Sequence, residues 1–454
     1  MRVVLSFSFL CLLLLTGKFL RIRIKLFQKL YLPSSVIAGF LGLVILQIFG
    51  SHIPADCTAG WSKLPGFLIN IVFAALFLGV SIPPLSTIWQ KSGPQFVYGQ
   101  IVAWGQYVVG IGVAVLILKP LFSVPGFFGT LIPVGFEGGH GTAAGLGKTF
   151  ETLNWSQGLD FALACATAGI VSAVIVGMIL INWAVRKKIT KAAQNFESIP
   201  ESNVVGVYNI EERPIAGYQT VSADSIDSLG LHLAIIGVSI LIGYGLRELL
   251  LTLEYLFPVL AKTKLLAAFP LFPLCMIGGL IVQLVLSRIV KINLIDHQLT
   301  QRLSGTALDF LVVAAISTIR LSVIMKGFLP FAILIAVGIG WNVFCVLFLA
   351  KKLLPDAWFE RSIAEMGQSM GTTATGLMLL RVVDPEAKTP AYSAFGYKQL
   401  LHEPFMGGGL WTSIAIPLAI IRGPGIVFFI SLAAILLWGC FWWCAFRKTT
   451  ASAK

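Results

Sequence analysis

Long apolar runs alternate with short basic loops along this chain. A run of roughly 20 residues nearly free of charge is long enough to cross a bilayer core at 1.5 Å per residue. Such runs fall at 3–20, 34–50, 66–83, 96–118, 159–185, 229–251, 264–287, 305–325, 330–350, 403–421 and 425–446, and each is predicted to be a spanning helix. Two further segments, about 124–150 and 362–383, are only mildly apolar and are rich in Gly, Thr and Ala. They are poor spans and are expected to be re-entrant. The first run imitates a signal peptide, but no small-x-small cleavage site follows it. Lys18, Arg21, Arg23, Lys25 and Lys29 do, which is the flank of a first span.

The longest polar stretch, 186–228, contains Glu197, Pro200, Glu201, Glu211, Glu212 and Pro214 and reads as a cytoplasmic linker. It separates 1–185 from 229–422, and the two halves share one plan: four spans, a Gly/Thr-rich segment, a fifth span. Residues 423–454 add one more span and a tail. Faint sequence echoes accompany the plan. Pro33 to Gly39 recurs as Pro273 to Gly279, Ala74-Ala75 as Ala314-Ala315, and Thr142-Ala143-Ala144-Gly145-Leu146 as Thr373-Ala374-Thr375-Gly376-Leu377. A unit with an odd number of spans, repeated in tandem, comes out inverted. The expected fold is therefore all-α integral membrane: two inverted five-helix repeats with re-entrant Gly/Thr-rich loops, plus one extra C-terminal span. Inverted repeats characterise secondary transporters, which place one site near the midplane at the repeat interface.

Composition agrees. The chain is 57% hydrophobic and 12% charged, with mean hydropathy +0.88, against about 25% charged residues in soluble proteins. The net charge of +13 reflects basic loops at 18–29, 186–191, 288–302, 351–361, 381–388 and 447–454, and argues for topology over nucleic-acid binding. Loops 51–65, 119–123 and 326–329 carry few charges. The positive-inside rule puts the N-terminus outside and the C-terminus in the cytoplasm, as a multi-pass protein of a bacterial inner membrane. Seven cysteines without a CxxC pair read as free thiols packed among helices. No nucleotide-binding loop, HExxH or nucleophile elbow is present, which argues against a pump, a soluble-type enzyme or a cofactor.

The chemistry concentrates in the two Gly-rich segments. The first contains Glu137, Gly138, Gly139, His140, Gly141 and Thr142; the second contains Ser369, Gly371, Thr372, Thr373 and Thr375. Irregular backbone at membrane depth is tolerated where protein or a water-filled cavity covers it. Bared carbonyls and Thr hydroxyls are oxygen ligands for a hard cation, and the helix N-termini after each turn suit a carboxylate. Close packing through small residues is the alternative. Gly138, Gly139, His140, Gly141, Thr142, Ser369, Gly371, Thr372, Thr373 and Thr375 are the substrate-binding candidates, with Thr142 and Thr373 as sodium ligands. Glu137, Gln106, Asn342, Arg320 and Asp309 are candidate modulators. Each has a simpler account. His140 can be a packed histidine, Gln106 and Asn342 can bond between helices, and Arg320 can snorkel to the surface. Asp309 is about 16 Å along the helix from Arg320, too far for a direct pair. Asp160 and Glu403 read as acidic residues at helix starts.

Gly138-Gly139-His140-Gly141-Thr142, followed by Ala164-Cys165-Ala166-Thr167-Ala168-Gly169, resembles the bacterial glutamate:sodium symporters. Gln106 to Gly112 and Pro33 to Gly39 resemble that family's fourth and second spans. The resemblance implies re-entrant loops meeting at the substrate, a homodimer, an elevator-like movement, and sodium-coupled uptake of an acidic amino acid such as glutamate. Glu137 stands where the family's motif opens with a small residue. Its mate across the repeat is Gln368. A buried Glu137 is expected to couple a proton or to select a less negative substrate; a hydrated carboxylate at the mouth would do neither. The residues also leave open a cation/proton exchanger or channel, using Glu137 and Asp309, and an intramembrane enzyme, using His140 with Glu137.

Overall fold

A computed structural model describes residues 2–30, 32–50, 52–80, 85–191, 205, 207–256, 266–267, 269–291, 293–384 and 387–447. Helices carry the architecture, and no strand occurs among the described residues. The first half contributes α1 (Arg2–Arg23), α2 (Ser34–Phe49), α3 (Leu64–Ala74), α4 (Leu85–Val113, continued through a π-turn to Phe122), α5 (Gly139–Gly145), α6 (Gly147–Thr152) and α7 (Gln157–Arg186). The second contributes α8 (Ser228–Leu256), α9 (Phe272–Leu284, continued to Val290), α10 (His297–Ser317), α11 (Leu321–Lys326) and α12 (Phe328–Phe344, continued to Leu353). It ends in α13 (Trp358–Met370), α14 (Thr373–Val383), α15 (Ala391–His402), α16 (Leu410–Ile421) and α17 (Pro424–Ala445). Among the described residues eight helices are long and apolar enough to cross a membrane; α2, α3, α14 and α16 are shorter apolar helices. Each of the eleven predicted spans has a helical counterpart.

Four spans are displaced from the hydropathy reading. The run at 66–83 is helical only to Ala74 and continues in turns, with 81–83 outside the described residues. The helix expected at 305–325 is α10, which starts earlier and stops at Ser317. The run at 403–421 is helical only from Leu410. The run at 264–287 begins its helix at Phe272, with 264, 265 and 268 outside the described residues. In each case apolar turn residues extend the run beyond the helix. Within the linker, 192–204 and 206 also lie outside the described residues. All seven cysteines are free; Cys165, Cys275 and Cys345 are buried, but Cys440 and Cys444 are exposed on α17 rather than packed.

The helices sort into two packed groups. The first three helices of each half, α1, α2, α3 and α8, α9, α10, pack on one another. The later elements of both halves, α4 and α7 with α12, α13 and α15, pack together, and α17 lies along α4. Small residues permit the tight crossings. A Cβ on Gly279 of α9 would strike the Ala74 carbonyl of α3, and one on Gly278 the Ser239 carbonyl of α8. A cavity of about 750 Å³ lies between the groups, with Asn70, Phe272 and Thr318 on one wall and Gly145, Lys148 and Leu163 on the other.

Arg320 is half-exposed and also paired. It lies in the break between α10 and α11, where its guanidinium donates to Asp160 Oδ2 at 2.7 and 3.0 Å and its backbone N–H to Asp160 Oδ1 at 2.8 Å. Asp160 does sit in the first turn of α7, so one carboxylate serves both a helix start and the partner loop.

Candidate functional site

Three helix breaks converge inside the second group. The first separates a short helical arm, Pro133–Glu137, from α5 at Gly138 and Gly139. Gly139 has φ of +66°, a conformation that costs other residues about 1–2 kcal/mol. The second break, at Gly371 and Thr372, joins α13 to α14. These arms fold back on each other: a Cβ built on Gly367 would lie 2.7 Å from the Gly376 Cα, nine positions on in the chain. Thr372 caps α14 by accepting from the Thr375 N–H at 3.2 Å. The third break runs from Glu403 to Gly409 between α15 and α16, with Gly408 at φ of +91°. The breaks touch. A Cβ on Gly139 would stand 3.4 Å from the Gly371 carbonyl, and one on Gly408 would strike Thr142 Oγ1.

A continuous network of buried polar side chains joins them. Glu137 Oε1 accepts from Gln368 Nε2 at 2.8 Å and pairs with His402 Nε2 at 2.6 Å. Lys398 donates its ammonium to Glu365 Oε1 (2.6 Å), Gln399 Oε1 (2.9 Å) and Gln368 Oε1 (3.2 Å). Gln95 of α4 donates to Glu365 Oε2 at 2.8 Å. Gln399 continues the network to Thr373 Oγ1 (2.6 Å) and Glu403 Oε2 (2.9 Å). The Glu365 and Lys398 side chains are both 0% exposed. Gly99 lets α4 approach this closely, since a Cβ there would lie 2.6 Å from Lys398 Cε.

The structure divides the sequence candidates. Glu137 is buried, not at a hydrated mouth, and it bonds to Gln368, the residue that the sequence offset of the two Gly-rich segments pairs with it. Gln106 Nε2 donates to the Ser369 carbonyl at 2.6 Å, bringing α4 to the second break. Thr142, Ser369 and Glu137 each bury a side-chain oxygen that has no hydrogen-bond partner. Thr373 accepts from Gln399 and donates to Glu403 at 3.3 Å. His140 is a packed histidine, 3% exposed, whose Nε2 lies 2.8 Å from Thr167 Oγ1. Gly141 faces Ile69 of α3, outside the network. Asn342 donates to Gly338 of its own helix and so does not mirror Gln106. Asp309 is exposed on α10 and Arg320 is held by Asp160; neither joins the cluster. Glu403 caps the end of α15 rather than starting a helix.

Glu365, Lys398, Gln399, His402, Gln95 and Gln100 do not stand out in a hydropathy reading. One signal was available. Lys398 and His402 lie four apart, as do Gln399 and Glu403, so polar residues line one side of a helix just before Gly407-Gly408-Gly409.

A family model described as sodium/glutamate symporter matches residues 1–385. A sodium/glutamate symporter of Haemophilus influenzae is 24% identical over 396 residues, covering 85% of this chain and 89% of that protein. One from Escherichia coli K12 is 26% identical over 239 residues, 52% of this chain and 55% of that protein. These relatives are named as transporters, not as enzymes. The matched span 1–385 ends ahead of α15, so Lys398, His402 and the third break lie beyond it.

Proposed function

Because the chain belongs to the sodium/glutamate symporter family, we propose that it couples sodium entry to uptake of glutamate or a closely related acidic amino acid, with no other cofactor. The observation that carries this reading is the meeting of three helix breaks around buried oxygens without partners. Backbone freed from helical pairing supplies carbonyl and N–H groups, as in other transporters with interrupted helices. In this reading Thr142 Oγ1, which lacks a partner, and Thr373 contribute oxygens to sodium. Gly138, Gly139, Ser369, Gly371 and the start of α14 with Thr372 and Thr375 receive the substrate carboxylates. Lys63, Lys148 and Arg247 outnumber the one acidic residue, Glu151, in the lining of the cavity between the two helix groups, and the excess positive charge favours approach of an anion.

Transport then proceeds by alternating access. The group carrying the breaks moves against α1–α3 and α8–α10 in an elevator-like shift, in a homodimer of the plasma membrane. The basic loops support an external N-terminus and a cytoplasmic C-terminus. A cysteine-reactive, membrane-impermeant reagent is expected to leave a C-terminal single-cysteine tag unlabelled in intact cells; labelling from outside would overturn this orientation.

Binding is tested directly by thermal unfolding of the purified protein. Glutamate at about a hundred times its Kd should stabilise it by ~2.7 kcal/mol in sodium chloride, and far less in choline chloride. Equal stabilisation in both salts would refute sodium coupling. Stabilisation by neutral or cationic compounds alone would refute the substrate class.

A further inference from the structure

The hydrogen bonds around Glu137 have a direction that can be read atom by atom. An indole N–H only donates. Trp104 Nε1, 3.0 Å from Gln100 Oε1, therefore turns the Gln100 amide nitrogen towards His402. That nitrogen is itself a donor, so His402 Nδ1, 3.2 Å away, accepts and carries no proton. His402 is thus the neutral Nε2–H tautomer, and it donates to Glu137 Oε1. On the other side, the Lys398 ammonium also only donates. It takes Gln368 Oε1 and turns Gln368 Nε2 towards the same Glu137 oxygen. Oε1 receives two donors, while Oε2 is buried with no hydrogen-bond partner.

The charges do not balance. With His402 neutral, the fully enclosed part of the network holds the carboxyls of Glu137 and Glu365 against one ammonium, Lys398, and none of these side chains is more than 1% exposed; half-buried Glu403, held by Gln399 and Thr373, adds a further carboxyl at its edge. A buried charge without a partner is expensive, and groups so placed tend to neutralise. A sodium ion needs several oxygens around it, and Oε2 has no polar partner. A proton needs neither room nor further ligands. Building on the symporter reading, we infer that Glu137 is the binding site of a coupling proton: H⁺ adds to Oε2, making the neutral acid, and leaves again when the site faces the other side. The O–H bond is the single bond made and broken.

The facing groups come from several elements. Tyr107 of α4, Lys398 and His402 of α15, and Glu403 at its end lie within electrostatic reach of Glu137, and Glu365 of α13 lies behind Lys398 and His402. Of the other titratable groups on its neighbours, His140 is bonded to Thr167 and Cys165 packs on Gly135. Because the two donors to Oε1 come from α13 and α15, any movement of these elements against the first break changes the hold on the proton.

The test is sodium-driven glutamate uptake into proteoliposomes across roughly three pH units, with infrared difference spectra of the same protein. A lone carboxyl changes its protonated fraction about tenfold per pH unit beyond its midpoint. Wild-type uptake is expected to vary about fivefold or more. In Glu137→Gln, uptake at whatever rate remains is expected to lose that dependence, and the protonated-carboxyl C=O band is expected to disappear. His402→Phe, which removes one donor to Oε1, should move the midpoint of the uptake profile upward, and it serves if Glu137→Gln fails to fold. Sodium-driven uptake that is flat with pH in the wild type overturns the proton site and leaves the symporter reading intact. Absence of sodium-driven uptake refutes the symporter reading instead, and the infrared band then decides the proton site alone: present in wild type and lost in Glu137→Gln supports it, unchanged overturns it.

Discussion

Lys398→Met is expected to destabilise the folded protein by about 3–5 kcal/mol, enough to lose much of it on extraction. The lysine is the one ammonium in the enclosed set, and its three acceptors sit on α13 and on α15 itself. Removing it leaves the Glu365 carboxylate buried with only Gln95 as a partner, and it frees Gln368 to turn away from Glu137. The damage comes from the stranded charge more than from the lost pair. Lys398→Met combined with Glu365→Gln should therefore recover most of the stability, because Gln keeps an oxygen for Gln95 and adds no charge. Thermal unfolding in detergent, read by size exclusion after heating, measures both. A single variant as stable as wild type, or a double variant no better than the single, would contradict this account.

Gly408→Ala is the second change with a large expected effect, and it acts on the site more than on the fold. Two penalties add. An L-residue in this left-handed conformation costs about 1–2 kcal/mol, and overpacking costs about 1–3 kcal/mol more, because the new methyl would stand on Thr142 Oγ1 with Phe73 Cζ 3.3 Å away. The third break and Thr142 must separate, which opens the contact between the two halves at the proposed sodium oxygen. Sodium-dependent glutamate affinity should fall by at least about tenfold, equivalent to ~1.4 kcal/mol. Thr142→Ser would not relieve the clash, since the hydroxyl remains; Thr142→Ala in the Gly408→Ala background should restore part of the packing without restoring sodium dependence. Binding measured by thermal shift at graded sodium concentrations checks this, and an unaltered affinity in Gly408→Ala would show that the third break lies outside the site.

Much of this architecture was legible before any coordinates. Each apolar run marked a helix, because lipid leaves helical backbone little alternative, although four runs reach past their helices into apolar turns. The paired Gly-rich segments marked two of the three breaks, and the repeat offset pointed from Glu137 to Gln368, which the fold joins by a hydrogen bond across 231 residues. The third break was hidden by the cluster it completes. Lys398, Gln399, His402 and Glu403 lower the hydropathy of α15, so a helix with a polar buried side looks like a loop. Glycines 407 to 409 then merge with the apolar residues that follow. The pairing of Arg320 was missed for a different reason. Its partner Asp160 lies 160 residues away, and no local pattern carries that pairing. Asn342 shows the opposite failure: a polar residue expected to bond between helices bonds within its own.

The long reach of the Glu137 contacts bears on how the protein is made. Gln368 and His402 follow Glu137 by 231 and 265 residues, and ribosomes add about 5–20 residues per second. Glu137 is therefore added to the chain roughly 13–53 seconds before His402. Through that interval its carboxyl has neither donor, and insertion of the first Gly-rich segment to its final depth would be unfavourable. The segment is expected to wait near the interface until α13 and α15 arrive, so the N-terminal half is completed only late in synthesis. A chain released at the linker would lack the second half of both helix groups, and an early stop anywhere before residue 402 would yield a substrate for membrane proteolysis.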